Sequence, residues 1–83
     1  MSEPKIVVYG TNWCGDCLRT RYFLDRHHIS YTFINIDNDK QAEQFVFQTN
    51  HGMRSVPTIV FEDESILVEP STTALAIKLD ITT

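Results

Sequence analysis

The sequence predicts a single α/β domain with the element order β-α-β-α-β-β-α, in which helices on both faces cover a four-stranded mixed sheet. Three observations predict this fold class. The chain has 83 residues, which suits one domain spanning residues 1–83. A strand, a helical pattern and a second strand in the first half favour a right-handed crossover between parallel strands. Two short apolar runs around an acidic turn then indicate a closing antiparallel hairpin.

The first half of the chain contains two predicted strands and one predicted helix. Lys5–Tyr9 is apolar and β-branched, as expected of a strand buried on both faces. From Gly15 to about His28 the pattern is helical, and Ser30–Ile36 then alternates as a second strand. The apolar face of this helix is expected to carry Leu18, Tyr22 and Leu24.

The second half begins with another helical pattern. Asn38, three residues before Gln41, resembles a capping box at a helix start. The helix is expected to stop near Asn50–Gly52, where the glycine suits a left-handed cap. Its predicted buried residues are Ala42, Phe45 and Val46.

A hairpin and a last helix complete the domain. Pro57–Phe61 and Ile66–Val68 are the predicted hairpin strands, on either side of an acidic turn. Pro70 stands at the entry of the last helix, with Ser71 as its predicted N-cap. The residues that this helix is expected to bury are Ala74, Leu75 and Leu79.

Charge and hydropathy limit the partners that the chain can have. A formal net charge of −4 argues against nucleic acid. No apolar run is long enough to span a bilayer, so no membrane partner is expected. Met1–Lys5 leads directly into the first strand and lacks the pattern of a secretory signal. We therefore expect a cytoplasmic protein.

The spacing of the two cysteines, Cys14 and Cys17, predicts redox chemistry. A disulfide across so small a loop removes little entropy from the unfolded chain, so it would stabilise the fold little. At the turn into the first helix, Cys14 would face free backbone N–H groups, which favour the thiolate that attacks disulfides. Cys17 would lie one turn further in, more buried, where it could resolve the adduct on Cys14.

The two residues between the cysteines are expected to tune this chemistry. Gly15 lets the chain enter the helix without side-chain bulk over the sulfur. Asp16 stabilises the helix start, but its negative charge disfavours a second one on Cys14. Asp16 is therefore expected to make the dithiol a stronger reductant than a neutral residue would.

Two other interpretations of the cysteine pair stay open at this point. The pair could be half of a zinc site completed by the chain's three histidines, although adjacent histidines on a helix point about 100° apart. The cysteines could also be inert residues of the core. The strand-turn-helix context favours redox chemistry without a metal. The histidines, which we expect at the surface or in loops, are His27, His28 and His51.

Two motifs together resemble the glutaredoxin branch of the thioredoxin fold. They are Trp13-Cys14-Gly15-Asp16-Cys17 after a strand, and Ser55-Val56-Pro57-Thr58 opening a later strand. The resemblance covers nearly the whole chain and is greatest to mycoredoxins. With these the chain shares the pattern of Trp13–Arg19, a stretch like Asn50–Thr58, and Pro70-Ser71 before the last helix. Asp16 departs from the tyrosine that is common at its position.

The resemblance implies a substrate-binding surface around the nucleophile. It implies a cis bond before Pro57, which would turn the Val56 backbone outward to pair with an extended substrate. Trp13 would form an exposed apolar wall for docking. Arg54 could hold a carboxylate of the incoming thiol, and the start of the last helix could offer further donors. The residues at that helix start are Ser71 and Thr72.

Two departures from typical glutaredoxins bear on the small thiol. Thr11 stands where those proteins often carry lysine, and Glu69–Thr72 replaces a Gly-Gly-x-Asp turn that holds glutathione. Most of the residues that usually bind glutathione are therefore missing. Together with the resemblance to mycoredoxins, this favours mycothiol as co-substrate, with glutathione or bacillithiol as alternatives. No bound cofactor is expected.

The resemblance implies a dithiol disulfide reductase that acts on disulfides or on mixed disulfides between proteins and a small thiol. Its expected partners are a low-molecular-weight thiol, S-thiolated or disulfide-containing proteins and an upstream thiol-disulfide reductase, and we expect it to be monomeric. Three rival functions stay open. The chain could be a thioredoxin-like donor to one reductase, an iron–sulfur binding module bridged across a dimer, or a redox-inert adaptor.

Overall fold

The computed structural model describes residues 6–81, so Lys5 of the predicted first strand lies outside the described residues. Within that range the element order is the predicted one. The strands and helices are β1 (Val7–Gly10), α1 (Gly15–Arg26), β2 (Thr32–Asn35), α2 (Lys40–Thr49), β3 (Thr58–Val60), β4 (Ile66–Val68) and α3 (Thr72–Leu79). No helix among these is long and apolar enough to cross a bilayer.

The four strands form the predicted mixed sheet, in the order β2-β1-β3-β4. β1 pairs in parallel with β2, while the β1–β3 and β3–β4 pairs are antiparallel. In this register Gly10 lies opposite Asn35, and Tyr9 lies opposite Thr58. The loops that follow β1 and β2 and the loop that precedes β3 therefore meet at one edge of the sheet.

Helices cover both faces of the sheet, as predicted. On one face α1 and α3 pack against β1 and β3, through the fully buried residues Val8, Leu24, Ile59 and Leu75. On the other face α2 contributes Ala42 and Val46, which pack with Ile36. Full burial of a side chain the size of leucine contributes about 1.5–3 kcal/mol, so these contacts hold the helices in place.

The predicted apolar face of α1 is wrong for two of its three residues. Leu18 and Tyr22 are 51% and 65% exposed, whereas Leu24 is fully buried. The side of α1 that faces the core instead carries Cys17, Thr20, Phe23 and Leu24. A helix has one buried stripe, and a small thiol and a threonine occupy it here, so hydrophobicity alone pointed to the wrong side. The helix also ends at Arg26 rather than His28, which has a left-handed φ of 57°.

The ends of α2 differ from the predicted caps. Asp39 is the N-cap, and its side chain accepts a hydrogen bond from the Ala42 N–H at 3.0 Å, so Asn38 does not cap the helix. At the other end, the left-handed conformation begins at His51, with φ 56°, and continues at Gly52, with φ 88°. The Gly52 N–H donates a hydrogen bond to the Phe47 carbonyl oxygen at 2.7 Å, which caps the C-terminal end of the helix.

The hairpin and the start of α3 agree with the prediction. β4 has the predicted bounds, Ile66–Val68. Ser71 is the N-cap of α3, with its Oγ accepting from the Ala74 N–H at 3.0 Å. Leu75 is fully buried, but Ala74 is only half-buried because the core-facing residue beside Leu75 is Ala76.

Candidate active site

The two cysteines occupy different environments at the start of α1. Cys14 is the N-cap residue, with an extended backbone and a partly exposed side chain. Cys17 lies in the first turn and is fully buried. Both thiols are free. The predicted placement, with one accessible sulfur at the helix end and one buried sulfur a turn behind it, is confirmed.

The segment that leads into β3 lies beside Cys14. The Cys14 Sγ is 3.9 Å from the carbonyl oxygen of Val56, and the Val56–Pro57 peptide bond is cis, as the resemblance implied. The Glu69 N–H donates to the Pro57 carbonyl oxygen at 2.8 Å. This hydrogen bond holds the segment that precedes α3 next to the Val56–Pro57 loop. Together with the start of α1, two further segments of the chain therefore meet near the Cys14 sulfur.

Cys17 is held in its protonated form. Burial raises the pKa of the Cys17 thiol to about 12, against the opposing effect of the Thr11 backbone N–H, and the nearby Cys14 and Asp16 raise it further. A thiol with this pKa is a poor nucleophile at neutral pH. Thr11 itself is fully buried, and its Oγ1 has no hydrogen-bond partner among residues 6–81.

The residues between the cysteines have few contacts beyond their own neighbourhood on α1. Asp16 forms an ion pair with Arg19 on the outer face of α1, so part of its charge is compensated. A Cβ atom on Gly15 would contact nothing within 4 Å beyond its own chain neighbours. Apart from its chain neighbours Cys14 and Asp16, no residue in the described range 6–81 therefore restricts the size of the side chain at position 15.

Trp13 is the start of a polar network beside the nucleophile. Its side chain is 70% exposed, which fits a docking wall rather than a core residue. The indole Nε1–H donates to Asp37 Oδ2 at 2.9 Å. The other oxygen of Asp37 accepts from Arg54, whose Nε–H also donates to Glu43 Oε2 at 2.7 Å. Arg54 thus already binds two carboxylates of its own chain.

The charges in this network stabilise one another. Hydrogen bonds from Arg54 and Trp13 lower the pKa of Asp37, and hydrogen bonds to Glu43 and Asp37 raise the pKa of Arg54. The Asp37 and Glu43 side chains are each about one-third exposed, and so is Arg54. Asp37 and Arg54 are therefore charged at neutral pH.

Sequence reasoning missed three residues of the site. They are Gly10, whose lack of a side chain leaves room for the Cys17 Sγ, and the two acids Asp37 and Glu43. One signal was present for Asp37, because it follows β2 just as the cysteine motif follows β1. The residues after the carboxyl ends of adjacent parallel strands meet at one edge of the sheet. Glu43 belongs to α2 and comes into the site only through tertiary packing, which no local pattern reports.

The start of α3 lies across a groove from α1. Thr72 and Thr73 line it on one side and Arg19 on the other, and the groove has a volume of about 610 Å³. The Ser71 hydroxyl is used in capping α3. Thr72 therefore lines a groove shared with α1 whose lining residues do not include Cys14, and the observed role of Ser71 is capping.

The histidines lie away from the cysteines in chain position and in environment. His27 stacks against Phe23 at the end of α1, with ring centroids 4.5 Å apart. His28 and His51 are exposed and have left-handed backbones. Among residues 6–81, no group of three or more His, Cys, Asp or Glu side chains is placed to hold a metal ion.

Comparison with known proteins gives a consistent result. The sequence profile of the glutaredoxin family matches residues 6–66. A protein of Mycobacterium tuberculosis described as a glutaredoxin is 39% identical, over 95% of this chain and 94% of its own length. Mycoredoxin 1 of Corynebacterium glutamicum is 29% identical, over 92% of this chain and 94% of its own length.

The fold comparison agrees. A point mutant of the thioredoxin-like protein BC3987 superposes with a TM-score of 0.81, at 24% identity, over 94% of this chain and 97% of that one. At this identity the likeness supports the thioredoxin-like fold alone. The profile match and the mycobacterial relative, together with the paired thiols at the start of α1, lead to one conclusion: this chain belongs to the glutaredoxin family.

Proposed function

We propose that this protein is a cytoplasmic dithiol oxidoreductase that reduces disulfides, or mixed disulfides between proteins and a low-molecular-weight thiol. One observation carries the proposal. An accessible sulfur, Cys14, stands at the start of α1, and a buried, protonated sulfur, Cys17, lies one turn behind it. This arrangement separates an attacking thiol from a resolving one.

In the first step the Cys14 thiolate attacks the small-thiol sulfur of the mixed disulfide. The substrate S–S bond breaks as the new S–S bond to Cys14 forms. The protein thiolate leaves and takes a proton from water.

In the second step the adduct on Cys14 is released by one of two routes. A second small thiol can attack it, giving the small-molecule disulfide and free Cys14. Alternatively Cys17 loses its proton and attacks Cys14, which gives the Cys14–Cys17 disulfide and the free small thiol. Two further small thiols, or an upstream thiol-disulfide reductase, then supply the two electrons that restore the dithiol.

The docking surface in this proposal surrounds Cys14. The exposed Trp13 ring packs against the substrate, and the Val56 backbone lies where an extended segment can pair with it. Ser71 and Thr72, at the start of α3, are proposed to offer hydrogen-bond donors to the small thiol. We propose that this thiol is mycothiol, with glutathione and bacillithiol as the alternatives, and that the protein works as a monomer without a bound cofactor.

The test is turnover of a fluorescent peptide carrying a mixed disulfide, with each of the three thiols in turn. Cys14→Ser should abolish turnover, because it removes the attacking sulfur. Cys17→Ser should retain it, because a second small thiol can release the adduct. Turnover by Cys14→Ser at the wild-type rate would contradict the proposed function.

A further inference from the structure

The charges beside Cys14 bear on which small thiols the site accepts. Arg54 is the cation of the Trp13 network, and it binds Asp37 and Glu43. Two carboxylates share one guanidinium, so this network carries one net negative charge. The neighbouring Asp16 and Arg19 compensate each other. The network therefore presents negative rather than positive charge to an approaching substrate.

The network begins at the residue next to the nucleophile. From Trp13, the residue next to Cys14, the network runs through Asp37 to Arg54, two residues before Val56, and ends at Glu43. The carbonyl of Val56 is itself 3.9 Å from the Cys14 Sγ. Electrostatic interactions act over roughly 8 Å at physiological ionic strength, so a network that begins beside Cys14 is expected to act on a charged group next to the substrate sulfur.

From this geometry we infer that the Asp37–Arg54–Glu43 network selects against small thiols that carry a carboxylate near the sulfur and favours neutral or cationic ones. The inference rests on the proposed function and adds a substrate class to it. A guanidinium that already binds two carboxylates contributes little binding energy to a third carboxylate. The excess negative charge of the network also repels a substrate carboxylate. In this inference Arg54 binds the chain's own carboxylates rather than a carboxylate of the substrate.

The test uses three peptide mixed disulfides that differ only in the charge of a small thiol of similar size. The thiols are cysteamine, 2-mercaptoethanol and 3-mercaptopropionate, which are cationic, neutral and anionic. Each kcat/KM is divided by the rate of the same substrate with dithiothreitol, which removes intrinsic reactivity. The anionic substrate should fall below the neutral one by about threefold to tenfold at low salt, as expected for one unit charge near a protein surface. The difference should shrink as salt is added.

Three variants isolate the network. Glu43→Gln leaves Arg54 with one carboxylate and does not touch Trp13, so the preference against the anionic substrate should disappear or reverse. Asp37→Asn is a second variant of the same kind, and its amide oxygen can still accept from the indole. Glu62→Gln is the matched control, because it removes the same charge from the exposed turn between β3 and β4, at the opposite end of the strands.

The outcomes separate this inference from the function on which it rests. Loss of the preference in Glu43→Gln or Asp37→Asn, with no change in Glu62→Gln, supports the inference. Equal turnover of the three substrates by the wild type, or faster turnover of the anionic one, overturns it and leaves the reductase function standing. No turnover of any substrate contradicts both.

Discussion

Gly10 and Cys17 pack so closely that a Cβ atom on Gly10 would lie 2.7 Å from the Cys17 Sγ. Gly10 is the last residue of β1, and Cys17 lies in the first turn of α1. The absence of a side chain at Gly10 is therefore what allows the buried thiol to sit against the end of the strand. The requirement is for space, because the φ of Gly10 is not in the left-handed range.

Gly10→Ala should displace Cys17 and destabilise the fold. The added methyl group would also lie 3.2 Å from the Phe33 ring, so neither neighbour can yield without repacking. We expect a loss of about 1–3 kcal/mol in the free energy of unfolding, as for other overpacked core sites. Urea denaturation measures it. Gly15→Ala is the control, since a methyl group there meets open space beyond its chain neighbours, and a loss as large as that of Gly10→Ala would contradict the explanation.

Ser71→Ala should weaken the start of α3. The Ser71 Oγ accepts from the Ala74 N–H, and its removal leaves that donor to water. The expected cost is about 1 kcal/mol in the free energy of unfolding, typical of a lost N-cap. Thermal unfolding of the variant is compared with that of Thr73→Ala, an exposed position in the same turn. Equal melting temperatures for the two variants would show that the cap contributes nothing.

The hairpin turn should make a pH-dependent contribution to the free energy of unfolding. Hydrogen bonds from Lys78 and Ser65 hold the pKa of Asp63 well below its ordinary value of 3.8. A depressed pKa in the folded state stabilises the fold above the unfolded value, and this contribution is lost as the pH falls through the folded one. Wild type should therefore be more stable than Asp63→Asn at pH 7, and the difference should shrink progressively as the pH falls below 3.8.

Chemical denaturation of both proteins from pH 7 down to pH 2 measures this difference. Lys78→Met provides an independent check, because it removes the main partner of Asp63 at 2.8 Å. In Lys78→Met the effect of the Asp63→Asn change should be smaller than in the wild type. A difference between wild type and Asp63→Asn that grows as the pH falls has the opposite sign and would refute the assignment.

The elements and the cysteine site were predictable from the sequence because they depend on local patterns. Apolar runs and turn residues place β4 and the cap at Ser71, and the cysteine motif follows directly from the end of β1. The caps of α2 were harder, since Asn38 and Asp39 are adjacent and chemically similar as N-caps. Which of them caps the helix depends on the register of the backbone rather than on residue type.

The partners of Arg54 and the buried side of α1 could not be predicted, because they depend on contacts between residues far apart in the chain. Arg54 pairs with Asp37, 17 residues earlier, and with Glu43, 11 residues earlier. No local pattern selects those partners, so the sequence allowed Arg54 to bind a substrate carboxylate instead. The exposure of Leu18 and Tyr22 has a similar cause, because α3 and the sheet together decide which side of α1 is buried.

The most direct test of the central claim is the order in which the two thiols react in the native, reduced protein. Iodoacetamide is added near neutral pH, the reaction is stopped at intervals, and each cysteine is quantified by peptide mass spectrometry. Cys14 should be alkylated first because its side chain is partly exposed, while Cys17 should stay unmodified until denaturant is added, because it is buried and its pKa is raised to about 12. Modification of Cys17 before Cys14, or equal rates for the two, would contradict the account.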